Sequence, residues 1–383
     1  MELGPCSIYK EGSKVNTSYN PDSWNNHFNM IFLDQPINTG FSYGDDGTTV
    51  SDTPAAGIDV YAFLELFLNR FPEYSTQPFH IAAESYGGIF APNFASVIYK
   101  ANKDLALAPN SRVKHINLAS VMLGNGLTDP HVQLGSVPDY ACNGPYPLYD
   151  DPEGPECMAL RTKLPTCQRL IKACYQFHSR LTCVPAIIYC NTQIFAPLIR
   201  VSFLCSSLIN SISKLPRTTE NNDINPYDVR LPCNREENGD LCYPQMGWID
   251  TYLNQPSVKA ELGVSPEREF TTCNMDVNQA FTLGGDWSNS ALLLPELVND
   301  GVRLLVYAGD AGEFFFSPFF GDCILHFIVF VRTTLVTFCA IDVASRLGGA
   351  GLSFSFCVQW LTCCTARSLH KSFKRHAAFC AGS

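Results

Sequence analysis

Ser85 is the residue whose neighbours best suit it to act as a nucleophile. It lies in Ala83-Glu84-Ser85-Tyr86-Gly87, after the strand-like segment Phe79-His80-Ile81-Ala82-Ala83 and before Phe90, Phe94, Val97 and Ile98, which recur at helical spacing. A serine at a strand-to-helix turn is the arrangement of a nucleophile elbow: the strained turn exposes the hydroxyl, and the helix N-terminus beneath it favours developing negative charge. The turn requires small neighbours. Gly87 is one, whereas Ala83 stands where the G-x-S-x-G pattern has glycine, which is tolerable only if its φ stays negative. Taken alone, the same string also reads as an N-cap and a turn. Acyl transfer further needs a base oriented by a carboxylate and donors that hold the tetrahedral oxyanion.

These groups need a scaffold, and the chain supplies pieces of one. Residues 29–34 (NMIFLD) form a short apolar run bounded by turn formers, predicting a buried strand that Pro36 ends. Between Thr53 and Arg70, Ala56, Val60, Phe63, Leu64 and Phe67 recur at helical spacing, and Phe71-Pro72 stops the helix. Residues 116–123 and 304–307 predict further strands, and residues 249–262 a helix interrupted at Pro256. Strand, helix, strand, elbow, helix is a doubly wound α/β pattern.

The string ESYGG (84–88), with FLDQPINTGFSY (32–43), FPEY (71–74) and GNGLTDP (124–130), resembles the serine carboxypeptidases, specifically the fungal carboxypeptidase Y-like branch. The resemblance runs from Glu2 to about Ala311. It implies an α/β-hydrolase fold with a disulfide-rich helical cap, no cofactor, and removal of C-terminal residues from peptides or proteins through an acyl-enzyme on Ser85. It implies that the Tyr86 N–H is one oxyanion donor and that Glu84 and Glu2 are the acid pair holding the substrate's terminal carboxylate. Such a pair binds a carboxylate only while protonated, because adjacent anions repel, so an acidic optimum is expected. By the same resemblance Tyr227, Tyr243 and Met246 match the leaving-residue side of the scissile bond, and Tyr86, Asn191 and Trp287 the other side. The competing readings are a helix-start acid for Glu84 and core packing for the aromatics. The family's catalytic aspartate and its Gly-His-Met-like stretch have no match after Asp310, and His326, His370 and His376 lie in no equivalent stretch. The expectation is therefore a carboxypeptidase by kinship whose competence in this chain is in question. An inactive peptide-binding relative is the alternative, ahead of an esterase on the same fold.

The 17 cysteines point to an oxidising secretory compartment, and the resemblance to a vacuolar or secreted protein. Cys167, Cys174, Cys183 and Cys190 are separated by 7, 9 and 7 residues, which suits a helical hairpin with nested bridges, Cys174 to Cys183 inside Cys167 to Cys190. Sequence alone permits other pairings. The resemblance favours these two together with Cys142 to Cys157 and Cys233 to Cys242. No histidine falls at ligand spacing among them, so no metal is expected. Asn16-Thr17-Ser18 is a glycosylation sequon, a triplet that also arises by chance. A net charge of −10 argues against a nucleic-acid partner.

The expected organisation is a first hydrolase part over 1–140, a disulfide-rich cap over 141–245, a second hydrolase part over 246–311 and a non-family tail over 312–383. Within the cap an atypical insert at about 198–222 adds Cys205 to an even framework, favouring a retained intron over a functional loop. Residues 321–383 hold six basic and two acidic side chains and six of the cysteines, which favours frame-shifted or intron-derived sequence. The apolar stretch Cys323 to Ala344 is broken by Arg332 and Asp342, so no membrane anchor is expected. Met1-Glu2-Leu3-Gly4-Pro5 has no signal-peptide pattern and the resemblance starts in mid-domain, so the fold is expected to be incomplete at both ends.

Overall fold

The computed structural model describes residues 3–44, 48–107, 113–199, 224–239 and 242–309, with the backbone of 337–338. Glu2, nearly all of the insert, the three C-terminal histidines and the rest of the tail, including the candidate membrane stretch apart from those two residues, lie outside the described residues. In chain order the elements are β1 (Cys6–Glu11), β2 (Lys14–Tyr19), α1 (Thr53–Arg70), β3 (Phe79–Glu84), α2 (Gly87–Leu107), β4 (Leu118–Gly124), α3 (Pro130–Gly135), α4 (Val137–Asn143), α5 (Pro155–Gln176) and α6 (Arg180–Cys190). They continue with α7 (Ala196–Ile199), β5 (Ile224–Asn225), β6 (Asp228–Pro232), α8 (Arg235–Asn238), α9 (Gln245–Leu253), α10 (Pro256–Leu262), α11 (Met275–Gly284), α12 (Leu294–Asn299), β7 (Arg303–Tyr307) and β8 (Thr337–Phe338). The chain divides into two units, one comprising Met1–Thr49, Asn234–Val277 and Leu352–Ser383, the other Val50–Cys233 and Asn278–Gly351.

The larger unit is built on a parallel sheet in the order β3-β4-β7-β8. Side chains alternate across a strand, so the register sets up two apolar rows on one face: Ile81, Val121 and Leu304, then Ala83, Leu123 and Val306. Ala91, Ala95 and Tyr99 of α2 and Leu294 and Leu297 of α12 close over these rows. Leu64 and Leu68 of α1 pack with Ile98 of α2 and Ile116. Helix α1 starts where the Asp52 side chain accepts the Ala55 N–H at 2.9 Å, and it stops at Phe71 because Pro72 cannot extend it.

No strand forms at 29–34. Ile31, Phe32 and Leu33 are only half-buried, and no described strand ladders with them. A strand exists only as a paired object, because its N–H and C=O groups need partners that a short apolar run cannot supply for itself.

Helices α5 and α6 form an antiparallel hairpin joined at Phe177 to Ser179, with bridges Cys174–Cys183 near the turn and Cys167–Cys190 outside it. A third bridge, Cys142–Cys157, ties α4 to the first turn of α5. Cys233 and Cys242 are each disulfide-bonded. The helical run Arg180–Leu198 is long and apolar enough to cross a bilayer; Cys183 and Cys190 bind it covalently to α5, and Ala186, Ile187, Ile194 and Leu198 are buried while Leu181 and Ile188 stay exposed.

In the smaller unit, β1 and β2 pair antiparallel around Gly12, whose φ of 60° suits the two-residue turn. Ile8 and Val15 of this hairpin pack with Ile249 and Leu253 of α9 and with Phe270. Pro256 starts α10, where its missing N–H is harmless, and Gly263 ends that helix at φ 71°.

Candidate active site

Ser85 joins β3 to α2 at φ 60°, a conformation that costs a non-glycine residue about 1–3 kcal/mol and persists only where its surroundings enforce it. Three backbone hydrogen bonds do so. Ser85 N–H donates to Gly124 O at 3.1 Å, while Ser85 O accepts from Leu127 N at 2.8 Å and from Gly88 N at 3.0 Å. The glycines are matched to this clamp: a Cβ on Gly88 would lie 2.6 Å from the Leu127 backbone, and one on Gly87 would lie 2.7 Å from Ala83 Cβ. Ala83 itself sits inside β3 and is not among the residues of positive φ, so alanine fits where glycine was expected. The neighbouring strand ends converge at the same edge. Asn125, at φ 43°, follows β4 and donates its N–H to Tyr307 O at 2.9 Å, and Gly309 N–H donates to Asn125 Oδ1 at 3.3 Å. In open α/β sheets the carboxyl ends of parallel strands form the crevice where ligands bind. The Ser85 side chain is buried, and its Oγ has no hydrogen-bond partner among the described residues.

Tyr86 reaches from the elbow to a buried acid that the sequence reading missed. Its hydroxyl donates to Asp286 O at 2.5 Å and to Asp286 Oδ2 at 2.8 Å. Asp286, 2% exposed, also accepts the Thr53 N–H at 2.8 Å and the Thr53 hydroxyl at 2.5 Å. One carboxylate thus fastens the first residue of α1, the loop 285–287 and the residue after the nucleophile. Burial raises the Asp286 pKa while the donors from Thr53 and Tyr86 lower it; burial and the neighbouring Asp286 both push the Tyr86 phenol well above its usual range. The phenol therefore stays a neutral donor. The only sequence signal for Asp286 was an acid between Gly284-Gly285 and Trp287, too short to carry chemistry.

Beside the elbow, the loop after β4 is a rigid bed. Gln133 Oε1 accepts the N–H groups of Thr128 at 2.7 Å and Asp129 at 2.9 Å, and Gln133 Nε2 donates to Gly126 O at 2.8 Å. Asp129 caps α3, accepts the Tyr175 hydroxyl from α5 at 2.9 Å and the Asn289 amide at 2.7 Å, and so ties the bridged hairpin to the sheet.

The other expected site residues fall as follows. Glu84 is half-buried at the end of β3, next to Ser85. Trp287 is 6% exposed and follows Asp286, so Glu84, Ser85, Tyr86 and Trp287 belong to one connected neighbourhood. Asn191 opens the π turn Asn191–Phe195 beyond α6 and is half-buried. Tyr227 is buried in the β5–β6 turn, its N–H donating to Asn225 Oδ1 at 2.8 Å. Tyr243 and Met246 belong to the smaller unit, where they share the turn that starts α9, Met246 N–H donating to Tyr243 O at 3.1 Å. Asn16 is half-buried on β2 opposite Tyr9, and Glu2 lies outside the described residues. The expectation that no histidine falls at ligand spacing among the cap cysteines is corrected: the α5–α6 turn places His178 beside Cys174 and Cys183, with one ligand atom from each within 4.8 Å of the others, although the two sulfurs are bonded to each other.

The sequence profile described as serine carboxypeptidase matches residues 1–315. Similar curated proteins include Carboxypeptidase Y homolog A of Paracoccidioides lutzii, 43% identical over 312 residues that cover 81% of this chain and 49% of that protein. Carboxypeptidase Y homolog A of Coccidioides posadasii is 44% identical over 313 residues, covering 81% and 50% respectively. The chain thus spans about half the length of the curated relatives it matches. Among solved structures, the prohormone-processing carboxypeptidase Kex1(delta)p of Saccharomyces cerevisiae superposes with a TM-score of 0.67 at 22% identity, over 84% of this chain and 64% of that one, a likeness of fold alone.

Proposed function

Because the chain belongs to the serine carboxypeptidase family, we propose that it carries the nucleophile-bearing part of a serine-type carboxypeptidase that releases C-terminal residues from peptides and proteins. Ser85 attacks the scissile carbonyl and holds the acyl group, and the Tyr86 N–H donates to the oxyanion. The observation that carries this reading is Ser85 at φ 60° on a turn clamped by Gly124 O, Leu127 N and Gly88 N. Glu84 with Glu2 receives the substrate carboxylate, Tyr227, Tyr243 and Met246 accept the departing residue, and Asn191 and Trp287 contact the acyl side. The reading needs no cofactor. The bridges Cys142–Cys157, Cys167–Cys190 and Cys174–Cys183 support a vacuolar or secreted location, where disulfides persist.

The test is hydrolysis of an N-blocked dipeptide by a polypeptide in which this chain is extended to the length of its relatives. Release of the C-terminal amino acid, faster at acidic pH, is expected, and Ser85→Ala lowers it on the order of 10⁶-fold, the usual consequence of removing such a nucleophile. Undiminished release by the alanine variant overturns the assignment, and turnover of esters alone favours an esterase. One observation favours a second reading, an inactive peptide-binding relative: Ser85 Oγ is buried and has no hydrogen-bond partner among the described residues, so no activating base is seen there.

A further inference from the structure

The acyl-transfer chemistry makes no use of the tip of the α5–α6 hairpin. Gln176 to Leu181 are all exposed there, Phe177 by 61% and Leu181 by 88%. Single exposed apolar residues are ordinary, but the charge around these two is not. Residues 157–199 hold no aspartate or glutamate in a chain with 36 acids, and they carry Arg161, Lys163, Arg169, Lys172 and Arg180. Arg169, Lys172 and Arg180 are exposed and enter no ion pair among the described residues. The turn itself is stiff. Phe177 N–H donates to Ala173 O at 2.9 Å, Ser179 O accepts the N–H groups of Thr182 at 3.1 Å and Cys183 at 2.8 Å, and the Thr182 hydroxyl donates to Phe177 O at 2.5 Å. The Cys174–Cys183 bridge staples the turn from beneath, with the two Cα atoms 4.6 Å apart.

We propose that this tip docks the protein onto anionic phospholipid bilayers. Phe177 and Leu181 enter the interfacial layer, while Lys172 and Arg180, with Arg169 one turn further along α5, meet the lipid head groups. Unpaired cations beside exposed apolar side chains are complementary to such a surface, which offers negative charge above hydrocarbon. A segment that leaves water must bring its backbone groups already paired, and the Phe177 and Ser179 carbonyls meet that condition. The stapled turn also has little conformational freedom left to lose on docking. A protein partner fits less well, because two apolar side chains on a turn offer far less than the roughly 1,200–2,000 Å² of a stable protein interface. The contact is peripheral: Cys167–Cys190 and Cys174–Cys183 hold α6 to α5, so the apolar run Arg180–Leu198 lies on the bilayer and does not cross it.

The whole chain, kept oxidised, is sedimented with vesicles of phosphatidylcholine alone or of phosphatidylcholine with about one-third phosphatidylserine. Binding is expected to the anionic vesicles, about tenfold or more tighter than to the neutral ones, and it weakens as salt is raised. Replacing Phe177 and Leu181 together with serine lowers the affinity by about tenfold or more, and Arg180→Ser lowers it by about fivefold. Leu107→Ser, at a residue 85% exposed on α2, is the matched control and leaves binding unchanged. Each replaced side chain is exposed, and peptide mapping checks that Cys174–Cys183 still forms in every variant. Absence of binding, equal affinity for the two kinds of vesicle, or binding that survives the tip substitutions overturns the proposal. So does a dimer in solution that the same substitutions dissolve and that binds no vesicle, because the occupant of the tip is then a second copy of this chain.

Discussion

Single residues in this chain are held by very close approaches, and the glycines of the elbow show how little room is left. Gly88→Ala would drive a methyl into the Leu127 backbone at 2.6 Å, and backbone cannot swing aside as a side chain can. The expected loss is about 1–3 kcal/mol of stability, the usual consequence of overpacking, read as a lower urea midpoint; an unchanged midpoint would mean that the loop after β4 is not packed as described. Asp34 is a second such residue. Its carboxyl is buried, Oδ2 accepts the Phe41 N–H at 2.9 Å, Oδ1 has no partner among the described residues, and Gly40 leaves room for it where a Cβ would lie 2.3 Å away. Burial pushes its pKa up to about 7, outweighing the Phe41 N–H, which pulls it down. The folded carboxyl therefore binds its proton more tightly than the unfolded one. Its contribution is fully present below pH ~4 and is lost as pH rises through about 7, by at most roughly 4 kcal/mol. Urea melts of the wild type should show stability falling between pH 4 and 8, and Asp34→Asn, which mimics the neutral acid, should flatten that slope. A slope equal in both proteins would assign the pH dependence elsewhere.

Among the elements, the α5–α6 hairpin depends most on covalent chemistry. The exposed side of α5 carries Glu156, Arg169 and Lys172 while α6 leaves Leu181 and Ile188 exposed, and the cysteines at 167, 174, 183 and 190 are all fully buried between the two helices. Closing a loop of this kind removes entropy from the unfolded chain, and a bridge spanning 23 residues such as Cys167–Cys190 is worth about 2–4 kcal/mol. Replacing both of its cysteines with serine should lower the urea midpoint by that order, whereas the pair Cys174 and Cys183, which span 9 residues, should yield a smaller loss. Equal losses would indicate that packing rather than loop closure sets their worth. The mirror spacing of 7, 9 and 7 suits a hairpin with nested bridges without fixing the pairing, which the family resemblance favoured and the structure contains. Residues 29–34 are not legible in the same way. Their apolar pattern is that of a strand, but pairing is decided by what lies beside a segment and not by its own residues.

For the molecule as a whole, the pertinent question is whether Ser85 is activated. A serine hydroxyl is a weak nucleophile unless a base takes its proton, and no such partner touches Ser85 Oγ among the described residues. The chain expressed alone in an oxidising host should therefore show no stoichiometric fluorophosphonate labelling of Ser85, while the polypeptide extended to the length of its relatives should be labelled. Full labelling of the isolated chain would reveal a base outside the described residues. Sequence by itself determined the family, through ESYGG and three further motifs in order, and with it the α/β-hydrolase fold. It also located the elbow, because a strand period giving way to a helical period around a serine with small neighbours is a local pattern. Tertiary structure alone decided that Ala83 can replace glycine and that Asp286 fastens Tyr86 to the start of α1 from 200 residues away. The physical reason is the same in each case: periodicity and turn chemistry are written between near neighbours, whereas a close approach or a shared carboxylate depends on which distant segments the packed sheet and helices bring together.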